Sequence, residues 1–351
     1  MTSSILVTGG AGFIGTNFVH YWRDQHPDDR IVVLDALTYA GVASNIEGTP
    51  NVELVRGDIR DTALVEELLR HHNVETLVHF AAESHVDRSI EGPDAFIETN
   101  VIGTHSLLKA ARNVFLEGDG KLHRFHHVST DEVYGSLEPD EPAFSEDTQY
   151  RPNSPYSASK AASDHLVRAY HHTFGLQVTT SNCSNNYGPY QFPEKLIPLF
   201  LINCLHGRSL PIYGDGMNVR DWLHVTDHCR GIDAVLRRGR IGETYNIGGG
   251  VELANLDLID RLCSVVDDVF ASSAQLASRY PEAPAAQGEP TASLKTFVKD
   301  RAGHDRRYAI DERKAQAELG YRAQTDFESG LRSTLQWYLE NEEWWQNLLT
   351  Q

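Results

Sequence analysis

The chain has 351 residues, 40% of them hydrophobic, and a formal net charge of −18 at pH 7. This charge argues against nucleic acid and anionic membranes as partners, because both require a basic face. Glycines interrupt the first apolar stretch, no basic segment precedes it, and no apolar run approaches the ~20 residues that cross a bilayer. We therefore expect a cytoplasmic protein with no membrane partner, whose acid excess reflects either a saline cytoplasm or plain solubility.

The cysteines and histidines show no pattern of a disulfide framework or a metal site. Cys183, Cys204, Cys229 and Cys263 are widely spaced and form no C-x-x-C pair, so we expect buried or half-buried thiols in a reducing compartment. The 17 histidines include adjacent pairs but lack ligand spacing. We therefore predict no metal ion.

The first half of the chain alternates short apolar runs with longer amphipathic ones, which is the rhythm of βαβ units around a parallel sheet. The predicted strands are residues 4–8, 31–34, 52–55, 76–80, 124–129 and 178–182. The predicted helices are residues 13–25, 62–71, 95–115 and 156–174. Because such crossovers are right-handed, the expected fold is α/β, a doubly wound parallel sheet of the Rossmann type.

The pattern changes after about residue 185, where prolines punctuate the chain and the alternation is lost. Residues 220–250 again show strand and helix patterns, so the chain is expected to return to the first domain. We therefore predict a Rossmann domain from residues 1–185 and 220–250, and a smaller α/β substrate domain from residues 186–219 and 251–351. Residues 271–293 are rich in Ala, Ser and Pro and lack periodicity, which predicts a surface insertion or loop.

Three glycines mark the turn after the first predicted strand. Gly9, Gly12 and Gly15 form G-x-x-G-x-x-G at the opening of the following helix. This spacing permits a tight turn, brings backbone N–H groups close to a pyrophosphate and lets the helix pack against the sheet. The partial positive charge of the helix N-terminus attracts the same anion. The turn therefore predicts a dinucleotide site, although a similar turn also occurs in unrelated α/β folds.

Two further strand ends are placed to contact the dinucleotide. Asp35 follows Gly15 by twenty residues, at the end of the second predicted strand. A carboxylate there accepts both ribose hydroxyls and repels an additional phosphate, which favours NAD over NADP. Asp58 and Ile59, after the third strand, are placed to meet the adenine. The alternatives are a solvated strand end for Asp35, and ordinary loop and core positions for the other two.

Tyr156 and Lys160 form a Y-x-x-x-K motif, which places both side chains on one face of a helix. A phenol titrates near ~10, and a nearby ammonium is expected to lower that pKa toward neutral pH. Taken alone, the pair is better explained by a surface hydrogen bond. Together with the glycine turn and the strand-end Asp35, it resembles the extended short-chain dehydrogenase/reductases. That family includes epimerases, decarboxylases and dehydratases of nucleotide sugars.

Thr130, Asp131 and Glu132 follow a predicted strand, at the edge where open α/β sheets bind ligands. Burying two adjacent carboxyls is costly, so a purely structural role is a poor explanation. Two carboxyls with separated pKa values can instead run an elimination, one as acid and one as base. A 4-epimerase does not need them. The alternative is a polar turn that follows a strand.

Several longer strings resemble the dTDP-glucose 4,6-dehydratases, from the first strand to the aromatic-rich C-terminal region. These strings are residues 81–89, 130–132, 156–160, 182–189, 193–196, 220–222 and 303–308. The resemblance weakens between residues 271 and 297. Ala302 stands where that family usually has proline, which puts the rigidity of the loop before His304 in doubt.

The resemblance implies a set of chemical roles for the strand-end and helix residues. Tyr156 takes the proton of the sugar 4-hydroxyl, Thr130 hydrogen-bonds the same oxygen, and Lys160 holds the cofactor ribose and the phenolate. Glu132 then removes the C5 proton, and a protonated Asp131 gives its proton to the departing 6-hydroxyl. The cofactor is NAD, which is regenerated and not consumed.

The resemblance also implies the binding residues. Cofactor contacts beyond the three glycines, Asp58, Ile59, Tyr156 and Lys160 are Phe13, Ile14, Asp35, Ala36, Leu37, Thr38, Phe80, Ala81, Ala82, Thr99 and Asn186. Nucleotide-sugar contacts are Ser84, Thr130, Asn185, Lys195, Leu196, Pro211, Ile212, Tyr213, Arg220, Asn255 and His304. Arg220 and Lys195 suit a diphosphate on so acidic a chain, although surface salt bridges are their alternative.

Residues 95–115 and 156–174 carry apolar residues beyond one stripe, and in the resembled family such a pair of helices builds a homodimer through a four-helix bundle. Three functional alternatives stay open at this point: a nucleotide-sugar 4-epimerase, a dehydratase of a UDP sugar, and a non-catalytic NAD-sensing protein. The last is disfavoured because Tyr156 and Lys160 are both present. The sequence leaves open whether the product feeds surface rhamnose or a secondary metabolite.

Overall fold

The computed structural model describes residues 3–117, 122–300 and 303–350, and Ala302 lies outside these ranges. The strands are β1 (Ser4–Thr8), β2 (Arg30–Asp35), β3 (Val52–Arg56), β4 (Thr76–His79), β5 (Arg124–Thr130), β6 (Val178–Cys183), β7 (Asn185–Tyr187), β8 (Leu210–Tyr213), β9 (Val219–His224), β10 (Thr244–Ile247), β11 (Glu252–Ala254) and β12 (Lys295–Val298). The helices are α1 (Phe13–Gln25), α2 (Thr62–His71), α3 (Val86–Glu91), α4 (Asp94–Phe96), α5 (Thr104–Phe115), α6 (Pro155–Phe174), α7 (Leu196–Leu205), α8 (Val225–Arg238), α9 (Asn255–Ala271), α10 (Ala274–Arg279), α11 (Arg313–Leu319), α12 (Phe327–Glu340) and α13 (Glu342–Leu349).

A seven-stranded parallel sheet forms the centre of the molecule, in the order β10-β6-β5-β4-β1-β2-β3. The strand order reverses between β1 and β4, two neighbouring strands that pair in parallel. In open α/β sheets this switch point opens a crevice at the carboxyl ends of the strands. The predicted doubly wound parallel sheet is therefore confirmed.

Both faces of the sheet are covered by helices, which explains why its central strands read as nearly continuous apolar runs. Every residue of β1 is buried. On one face, Val7 and Ile31 pack with Phe18 of α1 and Ile232 of α8. On the other face, side chains of α2, α5 and α6 pack against the sheet, among them Leu107. The amphipathic periodicity of the predicted helices thus corresponds to real packing faces.

The predicted helix over residues 95–115 is not continuous. After α4 the backbone widens into a π-helical stretch at Ile97–Gly103 before α5 begins. The widened turn carries Asn100, whose amide donates to Glu83 O at 2.9 Å and to Ser159 Oγ at 2.8 Å, while its oxygen accepts from Glu83 N at 2.9 Å. Such π-bulges often occur at functional sites. Here the bulge fixes the loop that follows β4 against α6.

A smaller region contains two small sheets and the helices α7, α9 and α12. In the first sheet β9 pairs antiparallel with β11 and parallel with β7, and in the second β12 pairs with β8. Its core includes Phe200, Leu262, Tyr338 and Trp345. β9 lies in this region, whereas α8 packs on the large sheet and β10 extends it. The predicted domain boundaries remain a prediction.

Residues 271–293 lie largely on the surface, as expected, but they do not form an irregular loop. α10 and two short 3₁₀ turns occupy this stretch, and Tyr280, Ala283 and Thr291 are buried within the smaller region. Single helical turns contribute one inward side chain each, so they bury residues without producing any periodic pattern.

The four cysteines are all buried and unbridged. Among the helices in the described ranges, none combines the length and apolar composition that a membrane span requires.

Candidate active site

A cavity of about 390 Å³ opens at the carboxyl ends of the central strands. Its wall includes the glycine turn, the Tyr156 and Lys160 pair, and the segment between β7 and α7. Of the predicted residues, the following line this cavity: Gly9, Gly12, Phe13, Ile14, Gly15, Asp35, Ala36, Thr38, Asp58, Ile59, Phe80, Ala81, Ala82, Ser84, Thr99, Thr130, Asp131, Glu132, Tyr156, Lys160, Asn185, Asn186 and Lys195.

The glycine turn has the geometry that a bound pyrophosphate requires. Gly9 has a φ of 70°, and a Cβ added to it would lie 2.6 Å from Ala81 N. A Cβ on Gly15 would lie 2.1 Å from Gly9 O. Gly12 caps α1 and has no side chain to occupy the first N–H groups of the helix. The first residues of α1 line the cavity, and the N-terminus of a helix attracts an anion, so the turn fits the diphosphate of a dinucleotide.

Asp35 ends β2 beside this turn and is largely buried. Its Oδ2 accepts a 2.9 Å hydrogen bond from Ala11 N, and its Oδ1 accepts a 2.8 Å bond from Leu37 N. Burial raises the pKa of Asp35, and the two N–H donors act in the opposite direction. A carboxylate has about four acceptor sites, so both oxygens retain capacity for ribose hydroxyls. Leu37 takes a left-handed φ of 53° to make its contact, and it lies outside the cavity wall.

Thr130, Asp131 and Glu132 lie at the end of β5 and in the short 3₁₀ helix that follows it. The carboxyl of Asp131 is buried, and Thr130 Oγ1 donates to its Oδ1 at 3.3 Å. Burial first, then the charges of Glu132 and Asp221, raise the pKa of Asp131 well above its ordinary value. Asp131 is therefore neutral over a pH range in which an exposed aspartate is ionised.

Tyr156 and Lys160 lie one turn apart near the start of α6, and both are buried. A capping box between Ser154 and Ser157 fixes this first turn. Lys160 Nζ donates to Val128 O at 2.8 Å, which holds the ammonium against β5.

The expectation that Lys160 lowers the pKa of Tyr156 does not hold in this structure. Burial first, and then the charge of Glu132, raise the pKa of the phenol well above its ordinary value. The ammonium is engaged with the carbonyl of Val128 instead. The motif spacing predicted the common helix face correctly, but the pKa of Tyr156 depends on Glu132, from the 3₁₀ helix after β5, which the spacing of the motif does not specify.

The residues predicted for the nucleotide sugar fall into two groups. Ser84, Asn185 and Lys195 line the cavity, and Lys195 Nζ donates to Ser84 O at 3.1 Å. The other group stands outside the cavity wall, in the smaller region around β8 and β9: Leu196, Pro211, Ile212, Tyr213, Arg220, Asn255 and His304.

Within the second group, Arg220 is buried. Its guanidinium lies 4.3 Å from the ring centre of Tyr308 and donates to Asp305 O at 3.0 Å. The rings of Tyr213 and His304 lie 6.5 Å apart. The alternative of a surface salt bridge therefore does not apply to Arg220, because its side chain is buried.

Sequence reasoning missed a set of contacts that cross the mouth of the cavity. Tyr39 Oη donates to Glu194 Oε1 at 3.0 Å, and Arg88 Nη2 donates to Glu194 Oε2 at 3.1 Å. The guanidinium of Arg88 also lies 3.7 Å from the ring centre of Tyr39. Further cavity residues that were not predicted are Leu34, Ala40, Gly41, Gly57, Arg60, Glu83, Val128, Ser129, Cys183, Ser184, Gln191 and Phe192. The string of residues 193–196 was the one sequence signal near Glu194.

Comparison with known proteins places these features in a defined family. The family model described as GDP-mannose 4,6 dehydratase matches residues 6–334. A dTDP-glucose 4,6-dehydratase of Xanthomonas campestris pv. campestris (strain B100) is 53% identical over 350 residues, which cover 98% of this chain and 95% of the relative. One from Escherichia coli is 46% identical over 359 residues, which cover 98% of this chain and 96% of the relative.

Solved structures give the same result. The dTDP-glucose 4,6-dehydratase of Streptomyces venezuelae, crystallised with NAD, is 49% identical with a TM-score of 0.86, and the match covers 98% of this chain and 99% of that one. A UDP-glucose 4-epimerase of Thermotoga maritima is 26% identical with a TM-score of 0.81, over 97% of this chain and 99% of that one. Fold and site thus define a nucleotide-sugar enzyme of the extended short-chain dehydrogenase/reductase class. Within that class, the chain belongs to the dTDP-glucose 4,6-dehydratase family.

Proposed function

We propose that this protein converts dTDP-glucose to dTDP-4-keto-6-deoxy-glucose and is thus an NAD-dependent hydro-lyase. The observation that carries the proposal is a buried Asp131, with its pKa raised well above the ordinary value, next to Glu132 and in one cavity with Tyr156 and Lys160. Oxidation at C4 needs only the tyrosine and lysine pair. The additional acid and base are what elimination of water requires.

NAD is the cofactor, and the glycine turn and Asp35 are the parts of the chain that fit it. When bound, NAD supplies a hydride acceptor for C4 and a hydride donor for C6, and the positive charge of its oxidised ring opposes the raised pKa of Tyr156. Lys160 donates one N–H to Val128 O, so two N–H groups of its ammonium are available for the ribose hydroxyls and the tyrosine oxygen.

Tyr156 acts as the base that takes the proton of the 4-hydroxyl. Thr130 donates to the buried carboxyl of Asp131 in this structure, and its hydroxyl is able to turn to the same sugar oxygen. The ketone that forms at C4 makes the C5 proton acidic, which prepares the elimination.

Glu132 and Asp131 divide the elimination between them. Glu132 removes the C5 proton, and the protonated Asp131 gives its proton to the 6-hydroxyl, which leaves as water. A proton then returns to C5 as C6 is reduced, so the net change is the loss of one water molecule. The raised pKa of Asp131 supports the acid role, because an ionised carboxylate has no proton to give.

The proposed sugar and diphosphate contacts are Ser84, Asn185 and Lys195 in the cavity. Arg220, Asn255 and His304, with the β8 residues Pro211 to Tyr213 and Leu196, are proposed for the nucleotide. These residues lie outside the wall of this cavity, so the proposal places the nucleotide partly beyond it, along the smaller region.

The 4-epimerases are the rival within the same fold, since one of them is 26% identical with a TM-score of 0.81. The test is product analysis by proton NMR after incubation of the purified protein with dTDP-glucose, with UDP-glucose in a parallel arm. The proposal predicts a 4-keto-6-deoxy product from dTDP-glucose without net NADH. An inverted 4-hydroxyl would indicate an epimerase, faster turnover of UDP-glucose would change the base assignment, and no turnover would leave a binding protein.

We further propose a cytoplasmic homodimer that forms through α5 and α6 as a four-helix bundle. Exposed apolar side chains near these helices support it: Ile97 is 47% exposed and Ile102 is 46% exposed. Phe174, at the end of α6, is also exposed. The four buried, unbridged cysteines are in keeping with a reducing compartment.

A further inference from the structure

A buried group of polar side chains lies directly behind the wall of the cavity. Asp164 is on α6, one turn after Lys160, and is 6% exposed. Its Oδ2 accepts a 2.9 Å hydrogen bond from Ser129 Oγ, and its Oδ1 lies 3.0 Å from His127 Nε2. Asp164 does not line the cavity, so any influence on the reaction passes through its neighbours.

Two successive contacts tie α6 to the end of β5. Lys160 Nζ donates to Val128 O at 2.8 Å, and the next residue of the strand, Ser129, donates to Asp164. The strand leads directly into the proposed acid and base, and the helix carries Tyr156. The two contacts therefore set the separation between the two halves of the site.

Asp164 is the anionic member of this buried group. Burial lowers the pKa of His127 well below its ordinary value, so its contact with Asp164 is a hydrogen bond with a neutral imidazole and not an ion pair. Tyr150, from the segment before α6, and His165, on α6, also face the carboxyl. Burial raises the pKa of Asp164 to about 6, against the opposing charge of Lys160. Asp164 is therefore ionised at neutral pH.

The surroundings of Lys160 otherwise oppose its charge. Burial lowers the pKa of its ammonium, and the charge of Asp164 is the main influence in the other direction, followed by Cys183. The two histidines that face it, His79 and His127, are themselves fully buried with strongly lowered pKa values. A buried ammonium with no counter-charge tends to lose its proton.

We propose that Asp164 is a positioning residue whose carboxylate keeps Lys160 protonated and holds it at the level of the cavity. It does so through its charge and through the Ser129 hydrogen bond that fixes α6 to β5. The inference rests on the proposed function, in which the ammonium of Lys160 holds the ribose and the tyrosine oxygen.

The test is a pH titration of the Lys160 side chain by NMR in protein labelled with ¹⁵N at lysine Nζ, as purified. The Lys160 signal is assigned by its loss in K160M. In the unaltered protein it is expected to show an inflection near pH 6, where Asp164 titrates, before its own deprotonation at higher pH. In D164N the inflection near pH 6 is lost and deprotonation occurs about one pH unit lower.

S129A is the matched control, because it removes one hydrogen bond to Asp164 but keeps the carboxylate. It should retain both steps of the Lys160 titration. The alkaline limb of the kcat profile should move in D164N by the same amount, with KM changed less than kcat. An unchanged Lys160 titration in D164N would overturn the proposal.

Absence of the inflection near pH 6 in the unaltered protein would overturn it too, and this measurement does not depend on D164N folding. The titration requires no turnover. Failure to convert dTDP-glucose would therefore refute the proposed function separately, without changing the result on Asp164.

Discussion

The hydroxyl of Thr130 donates a 3.3 Å hydrogen bond to one carboxyl oxygen of Asp131, while within the described structure the other oxygen is buried without a hydrogen-bond partner. A buried carboxylate with one unsatisfied oxygen is unfavourable, whereas a protonated carboxyl is tolerated. The same surroundings that make this site costly for an anion make Asp131 suitable as an acid. Loss of that proton should therefore affect one chemical step more than the others.

Replacing Asp131 by Asn should slow elimination far more than oxidation. The amide keeps the shape of the side chain but has no acidic proton for the leaving hydroxyl, so turnover should fall by roughly 10²–10⁴-fold. Rapid-quench analysis of a single turnover should show the 4-keto sugar with its 6-hydroxyl still in place. Equal slowing of both steps would contradict the division of roles between Asp131 and Glu132.

The same variant should be more stable than the unaltered protein at neutral pH. Because the folded pKa of Asp131 is raised, the folded state keeps a proton that the unfolded state has released at any pH between the unfolded and folded values. Stability therefore falls as pH rises through that window. D131N cannot ionise, so its Tm measured from pH 4 to 8 should show less of this loss.

Asp311 is a control for this stability measurement, because its pKa is lowered in the folded protein whereas that of Asp131 is raised. Arg313 lowers its pKa, so its contribution to stability is present above the unfolded pKa and is lost as pH falls through the folded one. D311N should therefore reduce Tm slightly at neutral pH and not at low pH. A D131N protein whose Tm is lower than that of the unaltered chain at pH 8 would show that the buried carboxyl is not under strain.

Substitutions in the glycine turn should show how closely α1 packs against the turn. A Cβ on Gly15 would lie 2.1 Å from Gly9 O, whereas one on Gly12 would lie 3.4 Å from that oxygen. G15A should therefore lower the free energy of unfolding by about 1–3 kcal/mol, as overpacking does, and G12A by about 0.5–1 kcal/mol, since it changes only the N-cap of α1. Urea denaturation of the two variants checks this. Equal stability of G12A and G15A would rule out the close approach of α1 to the turn.

Removal of the Tyr156 hydroxyl should abolish the first proton transfer. Y156F is expected to lower kcat by roughly 10²–10⁴-fold without loss of bound NAD. Y245F is a matched control, because the Tyr245 hydroxyl lies on β10 and donates to Glu318 Oε2 at 2.8 Å, away from the cavity. Steady-state rates together with the NAD content of the purified variants provide the measurement. Full activity of Y156F would require another base.

Charged residues on the exposed apolar surface near α5 should prevent the proposed dimer. Ile97 and Ile102 are each nearly half exposed, and burial of a Glu pair in a helix bundle is strongly unfavourable. The double variant I97E/I102E should sediment as a monomer. F297E should retain the dimer mass, since Phe297 is 60% exposed but lies on β12 in the smaller region. A dimer that survives the double change would place the interface elsewhere.

The features that were predictable from the sequence depend on residues close together in the chain. The glycine turn, Asp35 at the end of a strand, and the common helix face of Tyr156 and Lys160 each follow from short spacings. The contact of Arg88 with Glu194 joins residues 106 positions apart, and no local pattern predicts it. The raised pKa of Tyr156 likewise depends on burial and on Glu132 from another element.

Local patterns failed for a different reason elsewhere in the chain. The π-helical stretch at Ile97–Gly103 changes the helical period within a segment that reads as one helix. Residues 271–293 bury Ala283 and Thr291 through isolated turns. Both places make tertiary contacts that no local pattern specifies. Asn100 bonds across to Glu83 and Ser159, and Thr291 N donates to Asp267 Oδ1 at 3.1 Å.

The central claim is that one site oxidises C4, removes water across C5 and C6, and reduces C6 with the same hydride. It is tested most directly with dTDP-glucose that carries deuterium at C4, incubated with the purified protein, with the label located by NMR. The account predicts deuterium at C6 of a 4-keto-6-deoxy product. Deuterium retained at C4 beside an inverted hydroxyl, or label absent from C6, would contradict it.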